Sequence, residues 1–304
     1  MTTVLENFLA MCQRSNCRID SAMFEETYES CCQLARDGAQ LGMVEPLPAS
    51  VSLVNCLADS LISKDSKLIN HYNLQIALDF MSGGGNVLMV QNHTSGADTF
   101  VWKTLVNRHF RRRPADSFAY MSGHIVNIYP MPLIFAGSFR RIQIFSERYK
   151  QLSKELGISE EEMTQQNCRA LRSLLTFVRP GGKLVGLYPE GGRGEGALKY
   201  GDPNTAIIAE AISRTGEFMI LPTYVEGATS ILPVKRSDNE FNDFLKYLRP
   251  GCAQITCGVP FYWSQVDQSS KESIHSSIML SIAALAPNEA ARGPWVLEKI
   301  SKNR

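Results

Sequence analysis

An apolar run ends on an amide, an imidazole and, five residues later, a carboxylate in the stretch VLMVQNHTSGAD, residues 87–98. His93 and Asp98 would point to different sides of a continuous helix, but a turn through Gly96 can fold Asp98 back onto the imidazole. The carboxylate would then accept the Nδ1–H bond, fix the tautomer and stabilise imidazolium, leaving Nε2 as a general base. The bland alternative makes Asp98 a helix N-cap and His93 a satisfied loop histidine. A second stretch, LVGLYPEGGRGEG (184–196), runs from an apolar strand into Glu190, Gly191, Gly192 and Arg193. It contains neither G-x-x-x-x-G-K-[ST] nor G-x-G-x-x-G. What remains is a glycine-rich turn presenting one guanidinium, suited to a phosphate or carboxylate, or an ordinary surface turn.

Two further stretches are basic. In GSFRRIQIFSERYK (137–150), Arg140, Arg141 and Arg148 flank a strand, either to bind phosphate or as solvated charge. KTLVNRHFRRR (103–113) could meet lipid headgroups or an acidic carrier, or simply place cations at a helix C-terminus.

The elements that would position these groups follow from apolar periodicity. From Thr2 to about Met81 the pattern is helical, with breaks at Gly38 and at Pro46 and Pro48, and SGGG at 82–85 ends it. After Gly85, strand-length runs at 86–90, 117–121, 141–145, 183–188, 218–225 and 253–259 alternate with helical segments. Such alternation predicts an α/β fold: a helical bundle over residues 1–80, then a larger α/β domain over 81–304 with a mixed, mostly parallel sheet covered by helices. His93 falls at the carboxyl end of a strand, where ligands bind in open α/β sheets.

The 304 residues are 44% hydrophobic and 20% charged with a net charge of +1, which argues against a nucleic-acid partner. The eight cysteines form no C-x-x-C pair and lack neighbouring histidines at zinc spacing, so no metal site is expected and the thiols read as reduced. The first residues lack the basic and apolar regions of a secretory signal, and no stretch is apolar enough to span a bilayer, so any membrane contact is expected to be peripheral. A serine hydrolase would need a nucleophile elbow, and no G-x-S-x-G occurs.

The ordered set N-H-x4-D, a basic block, P-E-G-x-R and the strand ILPTYVEG resembles the glycerolipid acyltransferases over about residues 86 to 227. With a helical N-terminal segment and no span, the chain is most similar to their soluble, plastid-type glycerol-3-phosphate group. The resemblance implies transfer of a fatty acyl group from acyl-CoA or acyl carrier protein to the sn-1 hydroxyl of glycerol 3-phosphate. The thioester would be a co-substrate, and no other cofactor is implied. His93 would be the base and Asp98 its orienting acid. Arg193, Arg148 and Arg141 would bind the substrate phosphate, and Glu190, Gly191 and Gly192 would form the substrate loop. The protein would work in the cytoplasm or a plastid stroma, in transient contact with a membrane surface. Two departures bear on the acceptor: Arg148-Tyr149 stands where that group has Lys-His, and Glu195 where it has a second basic residue. Lysophosphatidate or another phosphorylated alcohol is the alternative acceptor, and a non-enzymatic module binding lipid or a carrier protein is the alternative of another class.

Overall fold

The computed structural model describes residues 2–36, 42–110, 117–146, 151, 154, 157–194, 196–201, 203–233 and 244–302. In chain order the main elements are α1 (Thr2–Ser15), α2 (Ser21–Arg36), β1 (Gly42–Val44), α3 (Pro48–Leu61), β2 (Lys67–Ile69), α4 (His71–Ser82), β3 (Asn86–Gln91), α5 (Asp98–His109), β4 (Phe118–Gly123), α6 (Pro130–Ala136) and β5 (Arg141–Ile144). They continue with α7 (Glu160–Val178), β6 (Leu184–Leu187), α8 (Ala206–Ser213), β7 (Phe218–Glu226), β8 (Gln254–Cys257), β9 (Phe261–Tyr262), α9 (Lys271–Ala283) and α10 (Trp295–Lys302).

The nine strands form one sheet in the order β1-β5-β4-β6-β3-β7-β8-β2, with β9 pairing β7. The five strands β5, β4, β6, β3 and β7 run parallel. The pairs β1 with β5, and β7 with β8 and β9, are antiparallel. This is the α/β fold with a mixed, mostly parallel sheet that the apolar runs predict. β3 is buried at all six positions, as a central strand covered on both faces must be.

Alternation along the strands builds two cores. Val87, Met89, Tyr120 and Leu184 pack with α1–α6 on one face. Leu88, Val90, Ala119 and Val185 pack with α7, α8 and α9 on the other. A capping box starts α7: Ser159 Oγ accepts from Glu162 N while Glu162 takes the Ser159 N–H. Pro222 lies inside β7 yet breaks no ladder, because it sits where the partner changes from β9, opposite Met219–Ile220, to β8, opposite Thr223–Glu226.

The N-terminal stretch differs from its helical reading in one respect. β1 and β2 interrupt the four helices and extend the sheet at both ends. Three residues are too few to display a period of two, so only their partners reveal them. The predicted strand at 253–259 is β8, and β9 follows it as a separate two-residue strand; both pair with β7.

Candidate active site

β3 ends at Gln91, and residues 92–97 form the turn before α5. Asn92 anchors that turn to β7: its amide donates to Val225 O (3.0 Å) and its Oδ1 accepts from Val225 N (2.7 Å). Ser95 anchors the other side, with Oγ donating to Leu232 O (2.6 Å) and accepting from Ala97 N (3.0 Å). Asp98 opens α5 and turns back. Its Oδ2 lies 2.9 Å from His93 Nδ1 and accepts the N–H groups of Thr94 (2.7 Å) and Ser95 (2.9 Å); Oδ1 accepts from Thr94 Oγ1 (3.0 Å).

These contacts separate the two readings of Asp98. The carboxylate caps the turn upstream of its helix and holds the imidazole at the same time. Because Oδ2 already faces two backbone donors, Nδ1 must carry the proton and donate it, leaving Nε2 basic. Asp98 is fully buried, whereas His93 is 21% exposed and faces a cavity. The turn's Thr94 and Ser95 N–H groups are both spent on Asp98.

The glycine-rich loop closes over the same turn. Glu190 joins the two segments: Oε1 accepts His93 N (2.7 Å) and Oε2 accepts Lys199 N (2.9 Å). Gly194 N in turn donates to His93 O (2.6 Å). Burial pushes the Glu190 carboxyl up to about 7 against the pull of both amides, and nearby Asp98 adds to the rise. Gly191, at φ +68°, supplies the left-handed bend that brings the loop round. Glu190 is thus a clamp on the loops, while Gly191, Gly192 and Arg193 line the cavity.

Periodicity did not single out Tyr188. Its ring stacks on the His93 imidazole with centroids 4.1 Å apart and planes at 19°. Its hydroxyl shares a 2.8 Å hydrogen bond with Thr99 Oγ1. Tyr120 stacks behind it at 5.5 Å, in space that the missing Cβ of Gly186 leaves open. Burial first, and then the Asp98 charge, hold the Tyr188 phenol well above its ordinary range, so the ring stays neutral. The available signal was that Tyr188 shares a strand face with Gly186 and Leu184; which face bears the site depends on the neighbouring strands.

The cavity holds about 210 Å³ and runs along the sheet under α5 and α6. Phe100, Phe135, Phe139, Ile125 and Val126 make most of it apolar. His93, Arg193 and Arg141 give it its ionisable character, and no carboxylate is among the described lining residues. Of the three arginines expected to act together, the two described ones, Arg193 and Arg141, both line the cavity but stand on different elements. Arg193 belongs to the loop beside His93. Arg141 starts β5, three strands from β3 in the sheet order and about 14 Å sideways at the usual strand spacing. Arg148 lies outside the described residues, as do Tyr149 and Glu195. Arg140 forms an ion pair with Glu45 (2.7 Å).

The 103–113 basic stretch is partly committed within the fold. Lys103 donates to Ser138 O (3.2 Å), and Arg108 donates to Ile62 O (2.9 Å) and Ser63 O (3.1 Å) at the end of α5. Residues 111–113 are outside the described set. Among the described residues, no helix is long and apolar enough to cross a membrane, and no group of three or more His, Cys, Asp and Glu is placed to hold a metal ion.

No protein-family model matches the chain, and no curated protein matches it with significance. Among solved structures, it is similar to the 1-acyl-sn-glycerophosphate (LPA) acyltransferase PlsC from Thermotoga maritima. The two share 11% identity over 94% of this chain and 97% of that one, with a TM-score of 0.45. A likeness so remote carries no weight for the chemistry of the site.

Proposed function

We propose that the protein transfers a fatty acyl group from a thioester, acyl-CoA or acyl carrier protein, to the hydroxyl of a phosphorylated alcohol, with glycerol 3-phosphate as the leading acceptor. The observation that carries the reading is the His93–Asp98 dyad, with Nδ1 engaged and Nε2 basic, at the wall of an apolar cavity beside an arginine-bearing loop. His93 Nε2 removes the acceptor hydroxyl proton as the oxygen attacks the thioester carbon. The tetrahedral intermediate collapses, the C–S bond breaks, and the imidazolium returns its proton to the leaving sulfur. Asp98 stabilises the imidazolium throughout, and Tyr188 fixes the plane of the ring. The N–H groups of Gly96 and Gly192, on two sides of the cavity, have no partner among the described residues and are the candidates for the oxyanion. Arg193 binds the acceptor phosphate, with Arg148 as its expected companion.

A thiol-release assay across glycerol 3-phosphate, lysophosphatidate and dihydroxyacetone phosphate tests this directly. Acceptor-dependent release is expected, lost by about 10²-fold or more in His93→Ala, as removal of a general base requires. A binding module would release no thiol with any acceptor, and its ligand affinity would survive the substitution.

A further inference from the structure

Arg141 is 3% exposed and lines the cavity. Its hydrogen-bond partners among the described residues are all neutral. Nε and Nη2 donate to Asn127 Oδ1 (3.2 and 3.0 Å), and Nη1 donates to Ala136 O (3.2 Å), the last carbonyl of α6. Guanidinium carries five N–H groups and these bonds use three, so one N–H stays on each terminal nitrogen. Among the described residues no carboxylate meets it. Its titratable neighbour Cys31 is a buried thiol pushed up to about 11, hence uncharged near neutrality. Burying a cation against neutral acceptors alone is costly unless an anion completes the site.

Two more polar groups line the same cavity. Ser122 Oγ, near the end of β4, and Ser146 Oγ, two residues past β5, are buried with no hydrogen-bond partner among the described residues. Arg141 and Tyr120 occupy paired positions of adjacent parallel strands, so both side chains face the cavity side of the sheet. From His93 the lining passes over Tyr188 and Tyr120 to Arg141, and phenylalanines cover the path. The cavity therefore has a reactive end, an apolar middle and a cationic far end.

Only a few bonds join the hydroxyl and phosphate of glycerol 3-phosphate, a reach short of the about 14 Å that three strand spacings put between β3 and β5. We propose that Arg141, with Ser122 and Ser146, receives a carboxylate at the far end of the acyl chain, so that the donor is an ω-carboxylated acyl thioester of medium length. This rests on the acyl-transfer reading and narrows it. The two leftover N–H donors suit the two oxygens of a carboxylate, and the aromatic middle suits the methylenes between them.

The test compares decanoyl-CoA with the coenzyme A monothioester of decanedioic acid, in the wild type and in Arg141→Met. The wild type should favour the ω-carboxylated donor by about ten-fold or more in kcat/KM, and Arg141→Met should reverse the preference. Equal or better use of decanoyl-CoA by the wild type would overturn the proposal and leave Arg141 as a cap on α6. That comparison needs no variant, so a poorly folding Arg141→Met does not blunt it. A raised KM for glycerol 3-phosphate in the variant, with no change in donor preference, would also overturn it and assign Arg141 to the acceptor phosphate. Calorimetry with free decanedioate and decanoate separates this proposal from the function itself. Tighter, Arg141-dependent binding of decanedioate supports the anion site even where no thiol is released, and equal binding of the two acids counts against it.

Discussion

Replacing Asp98 with asparagine removes one charge from the dyad and almost no volume. The two backbone donors on Oδ2, Thr94 N at 2.7 Å and Ser95 N at 2.9 Å, force the asparagine oxygen into that position. Its NH₂ then occupies the Oδ1 place, opposite a Thr94 hydroxyl that can turn and accept. The imidazole keeps both its orientation and its tautomer, so only the charge stabilising imidazolium is lost. With charge centres about 4 Å apart and an effective dielectric of about 20, that interaction is worth about 4 kcal/mol. The barrier should rise by a similar amount, which is about 10³-fold in kcat. KM should hardly move, because the counter-charge acts on the imidazolium that forms as the reaction proceeds. The assay is thiol release at saturating acceptor, alongside a thermal melt to show that the fold is intact. A kcat within about ten-fold of wild type would refute the reasoning, since a base needing its counter-charge cannot lose it so cheaply. Asp98→Ala separates catalysis from folding: it strands two buried amides at about 1–3 kcal/mol each and should melt well below Asp98→Asn.

Other expectations follow from the neighbouring groups. Glu190 is raised from 4.5 to about 7, so its stabilising contribution is complete below the lower value and fades as pH rises through the upper one. Relative to Glu190→Gln, the wild type should lose up to about 3 kcal/mol of stability between those limits in denaturant melts. A constant difference across the range would count against a buried, protonatable clamp. His124, which burial pushes down to about 4, contributes the opposite slope and is common to both proteins, so the difference isolates Glu190. Tyr188→Phe should retain most activity because the stack on His93 persists, whereas Tyr188→Leu should cost about 5–30-fold in kcat through the lost cation–π contact. Equal activity of the two variants would remove Tyr188 from the mechanism. Arg193→Gln should raise the acceptor KM by about 10–100-fold with little change in the donor KM; an unchanged acceptor KM would place the phosphate elsewhere.

How much of this was legible depends on the range of the interaction involved. The six longer strands, α5 and the position of His93 at a strand's carboxyl end follow from apolar periods spread over many residues, which survive whatever packs against them. The His93–Asp98 contact was also legible, because its geometry closes within one turn through Gly96. Beyond that turn, partners decide. β1 and β2 exist only because β5 and β8 supply their ladders. The Glu190 clamp spans 97 residues of sequence to reach His93 N. Tyr188 becomes a wall against His93 because β6 lies beside β3. The arginines show the division most plainly. All look alike as charges in a sequence, yet Arg140 pairs with Glu45, Arg193 lines the cavity with His93, and Arg141 is buried at the cavity's far end. A residue type and its spacing determine which chemistry is available, but strand order and burial determine which atoms can meet to perform it.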